Sequence, residues 1–351
     1  MKPFATRLLV WFDRHGRHDL PWQHPRTPYR VWVAEVMLQQ TQVATVIPYF
    51  ERFIARFPDW DSLATAPTDD VLALWAGLGY YARARNLQRA AQAIVADCSG
   101  AVPDELDKLT ALPGLGRSTA AAILAQSFDQ RHAILDGNVK RVLARHVAVE
   151  GWPGAPAVAR RLWIEAEARL PDRRHADYTQ AIMDLGATLC VARRPQCTQC
   201  PVAGDCAAHT RGEVERYPAP RPRRIKPLRR SHVLIIEDAG GAILFERRPP
   251  SGIWGGLWCL PLFDVAEDWR AGASRNYALE LGGDIQELPV LRHSFTHFDL
   301  DLVPLLTRPS GIRPALAEHA QQRWIKLQGA TLLGLPTPIR KLLDQLAPLA
   351  H

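Results

Sequence analysis

At 351 residues the chain exceeds one typical domain and can bury two separate cores. Hydrophobic residues make up 47% and charged residues 23%, an ordinary globular balance, and no apolar run approaches the roughly 20 residues that span a bilayer. The net charge of +7 is a weak pointer to polyanions, and four of the six cysteines (Cys190, Cys197, Cys200, Cys206) crowd into one short segment while Cys98 and Cys259 stand alone. That distribution excludes a dispersed disulfide framework and reads as a metal site.

The N-terminus carries only the short apolar run Leu8–Phe12 and no small-residue cleavage site, so a cytoplasmic protein is expected. From there to about residue 212 the pattern is helical. Glu35 sits in Val31–Leu38, where every other residue is apolar. A lone carboxylate there is either an acid kept protonated by burial or a group on the solvated edge of a helix. Gln39, Gln40, Thr41 and Gln42 follow, with amide and hydroxyl groups suited to base or backbone contacts. Thr68-Asp69-Asp70 predicts a helix start with a capping hydroxyl and first-turn acids. That helix meets the glycine turn Gly77-Leu78-Gly79-Tyr80-Tyr81, and another follows through Leu87, Ala91, Ile94 and Val95.

A helix–turn–helix is predicted over Pro103–Phe128. Its turn, Leu112-Pro113-Gly114-Leu115-Gly116, is followed by Arg117 and Ser118 and then an alanine-rich helix. Two glycines uncover amides at a helix N-terminus, a nest that binds phosphate, although such a turn between helices is common in itself. Asp136-Gly137-Asn138-Val139 lies between the strand-like His132–Leu135 and a helix through Val142 and Leu143. Asp136 suits an N-cap, a role compatible with facing a cleft. Tyr178, Ala181, Ile182, Leu185 and Leu189 make a buried helix stripe.

The four cysteines then follow with spacing C-x6-C-x2-C-x5-C. Thiolates suit iron–sulfur clusters and zinc alike, but structural zinc usually takes two CxxC pairs, and one compact loop favours a cubane cluster. Arg193, Arg194 and His209 add positive charge beside it. Residues 213–230 are basic and proline-rich and are expected to form a linker, either a solvated spacer or a strap along phosphates. Beyond it, Val233–Ile236, a turn at Asp238–Gly241 and Ala242–Phe245 predict a β-hairpin, Arg323–Leu327 a strand and Thr337–Leu346 a closing helix. Residues 231–351 therefore form a separate α+β domain.

Taken together, EVMLQQTQV, GLGYYARARNL, LPGLGRSTA, LDGNVKRVLAR and the cysteine loop resemble the endonuclease III superfamily of helix-hairpin-helix DNA glycosylases, and within it the MutY family of adenine glycosylases. The likeness covers nearly the whole chain, because residues 231–351 resemble that family's NUDIX-like domain. It implies a six-helix barrel beside an iron–sulfur domain over residues 1–212, holding one [4Fe–4S] cluster on Cys190, Cys197, Cys200 and Cys206. The implied activity is removal of adenine opposite 8-oxoguanine or guanine in double-stranded DNA, by a bacterial-type, nucleoid-associated monomer. By resemblance Glu35 is the catalytic acid, Asp136 stabilises the sugar and Asn138 supports Asp136. Gln40, Thr41, Leu78 and Tyr80 match segments that wedge into the duplex, while Gly114, Gly116, Arg117, Ser118 and Lys140 lie in the DNA-binding segments. Bifunctional relatives carry a lysine where this chain has Ser118, so lyase chemistry is expected to be weak or absent. Phe295-Thr296-His297 matches a lesion-contacting loop, with Thr296 where the family usually has serine. No glutamate run follows Gly255–Pro261, so the NUDIX-like domain is expected to bind rather than hydrolyse. A pyrimidine glycosylase and a zinc-stapled DNA-binding protein are the rival readings.

Overall fold

The computed structural model describes residues 2–98, 100–222, 225–281, 284–309, 311–312 and 321–346. Arg223 and Arg224 of the expected linker lie outside them. By contacts the chain divides into two compact units, Met1–Thr65 with Asn86–Arg223, and Ala66–Arg85 with Arg224–His351. Among the described residues no helix is long and apolar enough to cross a membrane.

The first unit is helical: α1 (Phe4–His15), α2 (Pro28–Leu38), α3 (Val43–Arg56) and α4 (Trp60–Thr65) lead into it. A helix α5 (Thr68–Trp75) belongs to the second unit, and α6 (Ala82–Asp97) runs from one unit into the other. Then come α7 (Leu106–Ala111), α8 (Arg117–Phe128), α9 (Gly137–His146), α10 (Pro156–Glu167), α11 (His175–Thr188) and the short α12 (Ala207–Thr210). Two of these helices are apolar around most of their circumference and are central. In α2 seven of eleven residues are buried, and α8 is buried without a break from Ala120 to Gln126. They pack against each other. Pro28 at the first position of α2 and the Thr27 hydroxyl, which accepts from the Arg30 amide, fix where that helix starts. The expected stripe on α11 is buried against α1, α8 and α9.

Two expectations need correction in this unit. His132–Leu135 is irregular rather than strand, although Ala133, Ile134 and Leu135 are buried. They are a short apolar segment with no neighbouring strand to pair with. The start of the linker is ordered: Tyr217 is buried against Ala148 and Ala208, so these residues do contribute to a small core.

The second unit carries the strands β1 (Leu228–Ile236), β2 (Ala242–Arg247), β3 (Trp258–Cys259), β4 (Leu262–Asp264), β5 (Leu279–Glu280), β6 (Gln286–Glu287), β7 (Leu291–Ser294), β8 (Asp299–Thr307), β9 (Gly311–Ile312) and β10 (Gln322–Lys326). Helices α13 (Trp269–Tyr277) and α14 (Thr337–Leu346) complete it. One sheet has the order β4-β1-β8-β6, with β7 also on β8, and a second has β10-β2-β3. The long pair β1–β8 is parallel, in register from Leu228 with Asp299 to Ile236 with Thr307. Parallel pairing needs a long crossover, which the intervening chain supplies. The expected hairpin is thus only half right. The turn at Asp238–Gly241 forms, but β1 and β2 enter different sheets and share a single bridge between Glu237 and Ile243.

Residues 66–85 are knitted into this unit. Asp69 accepts from Arg247 at 2.8 Å and from the Trp258 indole at 3.4 Å, and the Tyr81 hydroxyl donates to the Leu335 carbonyl at 3.0 Å. The helix α5 does begin at Thr68, with Asp69 and Asp70 in its first turn, but Pro67 rather than Thr68 occupies the N-cap position.

Candidate active site and cluster loop

Because α2 and α8 are both buried around most of their circumference, the few polar groups on their shared face must meet one another. Glu35 on α2 accepts a hydrogen bond at 2.6 Å from Nε2 of Gln126 on α8. Gln126 is 4% exposed, whereas Glu35 keeps a partly open face. Burial pushes the Glu35 carboxyl up to about 7; the Gln126 bond works against this and the charge of Asp136 adds to it. The interior reading of Glu35 therefore holds. Gln126 itself escaped sequence reasoning. Its signal was a lone amide in Ala120–Leu124 and Ala125, an otherwise apolar run.

Asp136 caps α9, its Oδ1 accepting from the Val139 amide at 2.7 Å. Burial raises its pKa, while the amides of Val139 and Asn138 and the charges of Arg141 and Lys140 pull the other way. Asn138 is half-buried: its Oδ1 accepts from Arg141 Nη2 at 2.7 Å, and Gly186 of α11 packs so tightly on it that an added Cβ would lie 2.6 Å from the Asn138 Cβ. Arg141 also donates to the carbonyls of Gly186 and Cys190. One guanidinium thus reaches from the cap of α9 to the first cysteine.

In the hairpin, Gly114 has φ +83° and Gly116 forms the bare N-cap of α8, both exposed. The Gln39 amide donates to the Gly114 carbonyl (3.4 Å) and the Thr119 hydroxyl (3.3 Å), joining the end of α2 to this turn. Gln40 is exposed with φ +61°, and Thr41 beside it is half-buried. Ser118 is turned inward, its hydroxyl accepting from the Leu135 amide at 2.9 Å and so bracing the chain just before Asp136. Arg117 pairs with Glu167 at 2.6 Å and lies over the Trp163 ring at 4.0 Å. Lys140 is half-buried in the first turn of α9.

The four cysteines line one small pocket together with Arg145, His146, Leu189 and Val202 among others. Among the described residues no three His, Cys, Asp or Glu side chains converge on a single ion. The thiols surround a space instead, which suits a multi-atom cluster. Burial pushes Cys200 up to about 12 and raises Cys197 and Cys206, so their thiolates need a metal's charge to form. Arg145, 1% exposed, places Nη1 3.3 Å from the Cys190 Sγ and donates to the carbonyls of Val191, Ala192, Val214 and Tyr217. These residues fit a [4Fe–4S] cluster.

Within the second unit the expected lesion loop is a tight turn closed by the Phe295 amide on the Phe298 carbonyl at 2.9 Å. Phe295 is half-buried and stacked on Phe298, with His293 and Trp254 beside it, so it anchors the loop. Thr296 and His297 are the exposed groups. Leu78 is buried, whereas Tyr80 is 52% exposed with φ +50°. The Tyr80 hydroxyl lies 3.5 Å from the Thr296 hydroxyl, which brings two distant segments to one surface.

Comparison with known proteins follows the same division. Residues 33–168 match the HhH-GPD superfamily of base excision DNA repair proteins, 190–206 the iron-sulfur binding domain of endonuclease III, and 232–345 the NUDIX domain. The chain is 37% identical to the adenine DNA glycosylase of Buchnera aphidicola (subsp. Acyrthosiphon pisum) over 97% of each chain. It is 33% identical to that of Homo sapiens over 96% of this chain and 73% of the human one. Among solved structures, a thermostable thymine-DNA glycosylase matches 59% of this chain and 95% of its own, with TM-score 0.54 and 26% identity. With these three domains matched in order along the chain and identity to the Buchnera enzyme running over nearly its full length, the chain belongs to the adenine DNA glycosylase family, with a helix-hairpin-helix catalytic region, a [4Fe–4S] cluster and a NUDIX-like domain.

Proposed function

We propose that this base-excision glycosylase removes adenine mispaired with 8-oxoguanine or guanine in double-stranded DNA, acts as a monomer at the chromosome and leaves the strand uncut. The observation that carries the chemistry is the unequal setting of two carboxyls that burial raises alike. Glu35 has one amide partner and a carboxylate neighbour, whereas Asp136 is held by two backbone amides beside Arg141 and Lys140. Those partners favour the proton on Glu35 and the negative charge on Asp136. Glu35 delivers its proton to a ring nitrogen of the flipped adenine, the N-glycosidic bond breaks with both electrons leaving on the base, and Asp136 stabilises the oxocarbenium-like sugar until water adds. Asn138, fixed by Arg141 and Gly186, keeps the head of α9 in place for that role. Cys190, Cys197, Cys200 and Cys206 would hold the cluster, and its iron–thiolate bonds would keep 190–206 as a fixed loop against α9.

The amides around Gly114 and Gly116, with Arg117, Ser118, Lys140, Gln40 and Thr41, would grip the backbone and the opened base pair; Phe295, Thr296 and His297 with Leu78 and Tyr80 would serve the opposite base. Adenine is not damage, so the opposite base must be inspected if normal pairs are to survive, and phosphate contacts carry no sequence information. Monofunctional action follows from Ser118, whose hydroxyl is committed to Leu135. The test is single-turnover cleavage of duplexes with A opposite 8-oxoguanine, G, C and T. Adenine release from the first two, with strands nicked only after alkali, is the expected result. Equal release opposite T, or strand nicking as fast as base release, refutes the reading.

A further inference from the structure

The general acid has a partner that sequence motifs do not mark. We propose that Gln126 is a positioning residue for the acid: its amide holds Oε1 of Glu35, leaves Oε2 to carry the proton toward adenine, and sets the pH at which that proton is lost. The inference rests on the reading of Glu35 as proton donor.

Gln126 stands at the end of a run in which every residue from Ala120 is buried, so no solvent satisfies its amide. A polar group placed there costs stability unless it is bonded. Its Nε2 donates to Oε1 of Glu35 at 2.6 Å, a close and direct contact between the two side chains. An N–H donor prefers the carbonyl-like oxygen of a protonated carboxyl, which leaves the hydroxyl on the other oxygen. The same bond favours the ionised form, opposing burial. The acid is thereby held stronger than burial alone would make it. A stronger acid gives up its proton more readily, and near neutrality a larger share of it is already spent, which is the balance a general acid must strike.

Other charges do not replace this bond. The elements packed on α2 carry Tyr49, Glu51, Arg52 and Arg56 on α3, Asp61 on α4 and Arg117 on α8, while the turn Pro21–Gln23 has no titratable group. Of the charged groups around it, Asp136 is the one felt at Glu35, and it raises rather than lowers the proton affinity. Gln126 therefore supplies the downward pull.

The experiment is single-turnover excision from a duplex with A opposite 8-oxoguanine, from about pH 5.5 to 9.5, with full-length, cluster-loaded protein. Glu35→Gln tests the underlying reading and should abolish excision at every pH; a retained profile would sink the acid assignment itself. With that established, Gln126→Leu, similar in size and suited to an apolar helix, should move the alkaline limb up by about one pH unit. At the high-pH end its rate relative to its own plateau should then be about tenfold that of the wild type. Gln126→Asn, one methylene shorter, should shift the limb the same way and carries the test if the leucine variant folds poorly. A limb that stays in place, whether or not the plateau falls, reduces Gln126 to packing and overturns the inference.

Discussion

At the residue scale the site trades stability for chemistry, and Glu35 allows that trade to be measured. Its proton affinity in the folded chain is raised from 4.5 to about 7, chiefly by burial. The folded state thus binds a proton that the unfolded state releases, so stability is full at low pH and declines as pH rises between those two values. Glu35→Gln removes the charge at all pH values and can still accept from Gln126. Thermal unfolding should accordingly show little change at pH 5, where Glu35 is mostly neutral, and a gain on the order of 2 kcal/mol at pH 8. Equal effects at both pH values would mean that the carboxylate is not held against its preference. The sequence made Glu35 conspicuous because it is alone among apolar residues. It could not give the partner, because Gln126 is ninety-one positions away and meets Glu35 only through the packing of α2 on α8.

At the scale of elements, what could be read depended on whether the signal was local. Helix stripes, the glycine hairpin and the cap at Asp136 are written within a turn or two of chain, and the structure has them. Strand partners are not written locally. The turn after β1 announces a reversal, yet β1 takes β8 as its parallel neighbour far along the chain, and β2 joins another sheet. The contact between α9 and α11 is a similar case. Gly186 costs α11 roughly 1 kcal/mol relative to alanine in helix propensity, so its presence needs a packing reason. That reason is Asn138, whose Cβ, Cα and carbonyl carbon would lie 2.6 to 3.1 Å from a new Cβ. Gly186→Ala should lower stability by about 1–3 kcal/mol through overpacking, despite its better propensity. By displacing the head of α9 it should also slow excision more than it weakens DNA binding. Unfolding and single-turnover rates check both, and a stabilised variant with unchanged rate would show that α9 tolerates the shift.

At the scale of the molecule, the question is how lesion recognition can be separated from chemistry. Deleting residues 231–351 looks direct, but it would strip Ala66–Arg85 of its partners, since Leu72, Trp75, Leu78 and Tyr81 are buried and that segment is grouped with the C-terminal sheets. Each large apolar side chain so exposed costs about 1.5–3 kcal/mol, and a lost preference could then reflect a damaged protein. Point changes at the surface avoid this. Tyr80 and Thr296 are exposed and their hydroxyls lie 3.5 Å apart, at the outer limit of a hydrogen bond, so removing either should leave the fold intact. A hydrogen bond to a base edge gives roughly 1–3 kcal/mol of discrimination, about 5- to 150-fold. Thr296→Ala should cut the preference for A opposite 8-oxoguanine over A opposite guanine toward the low end of that range, because backbone contacts of the loop remain. Tyr80→Phe keeps the ring and loses only the hydroxyl, so it should cut the preference less. If the two hydroxyls act as one unit, the double variant will be no worse than Thr296→Ala alone, whereas independent groups would lose preference additively. Single-turnover rates and affinities on both duplexes give the cycle. An unchanged preference in all three variants would move lesion recognition away from this surface, toward Gln40 and Thr41 at the end of α2.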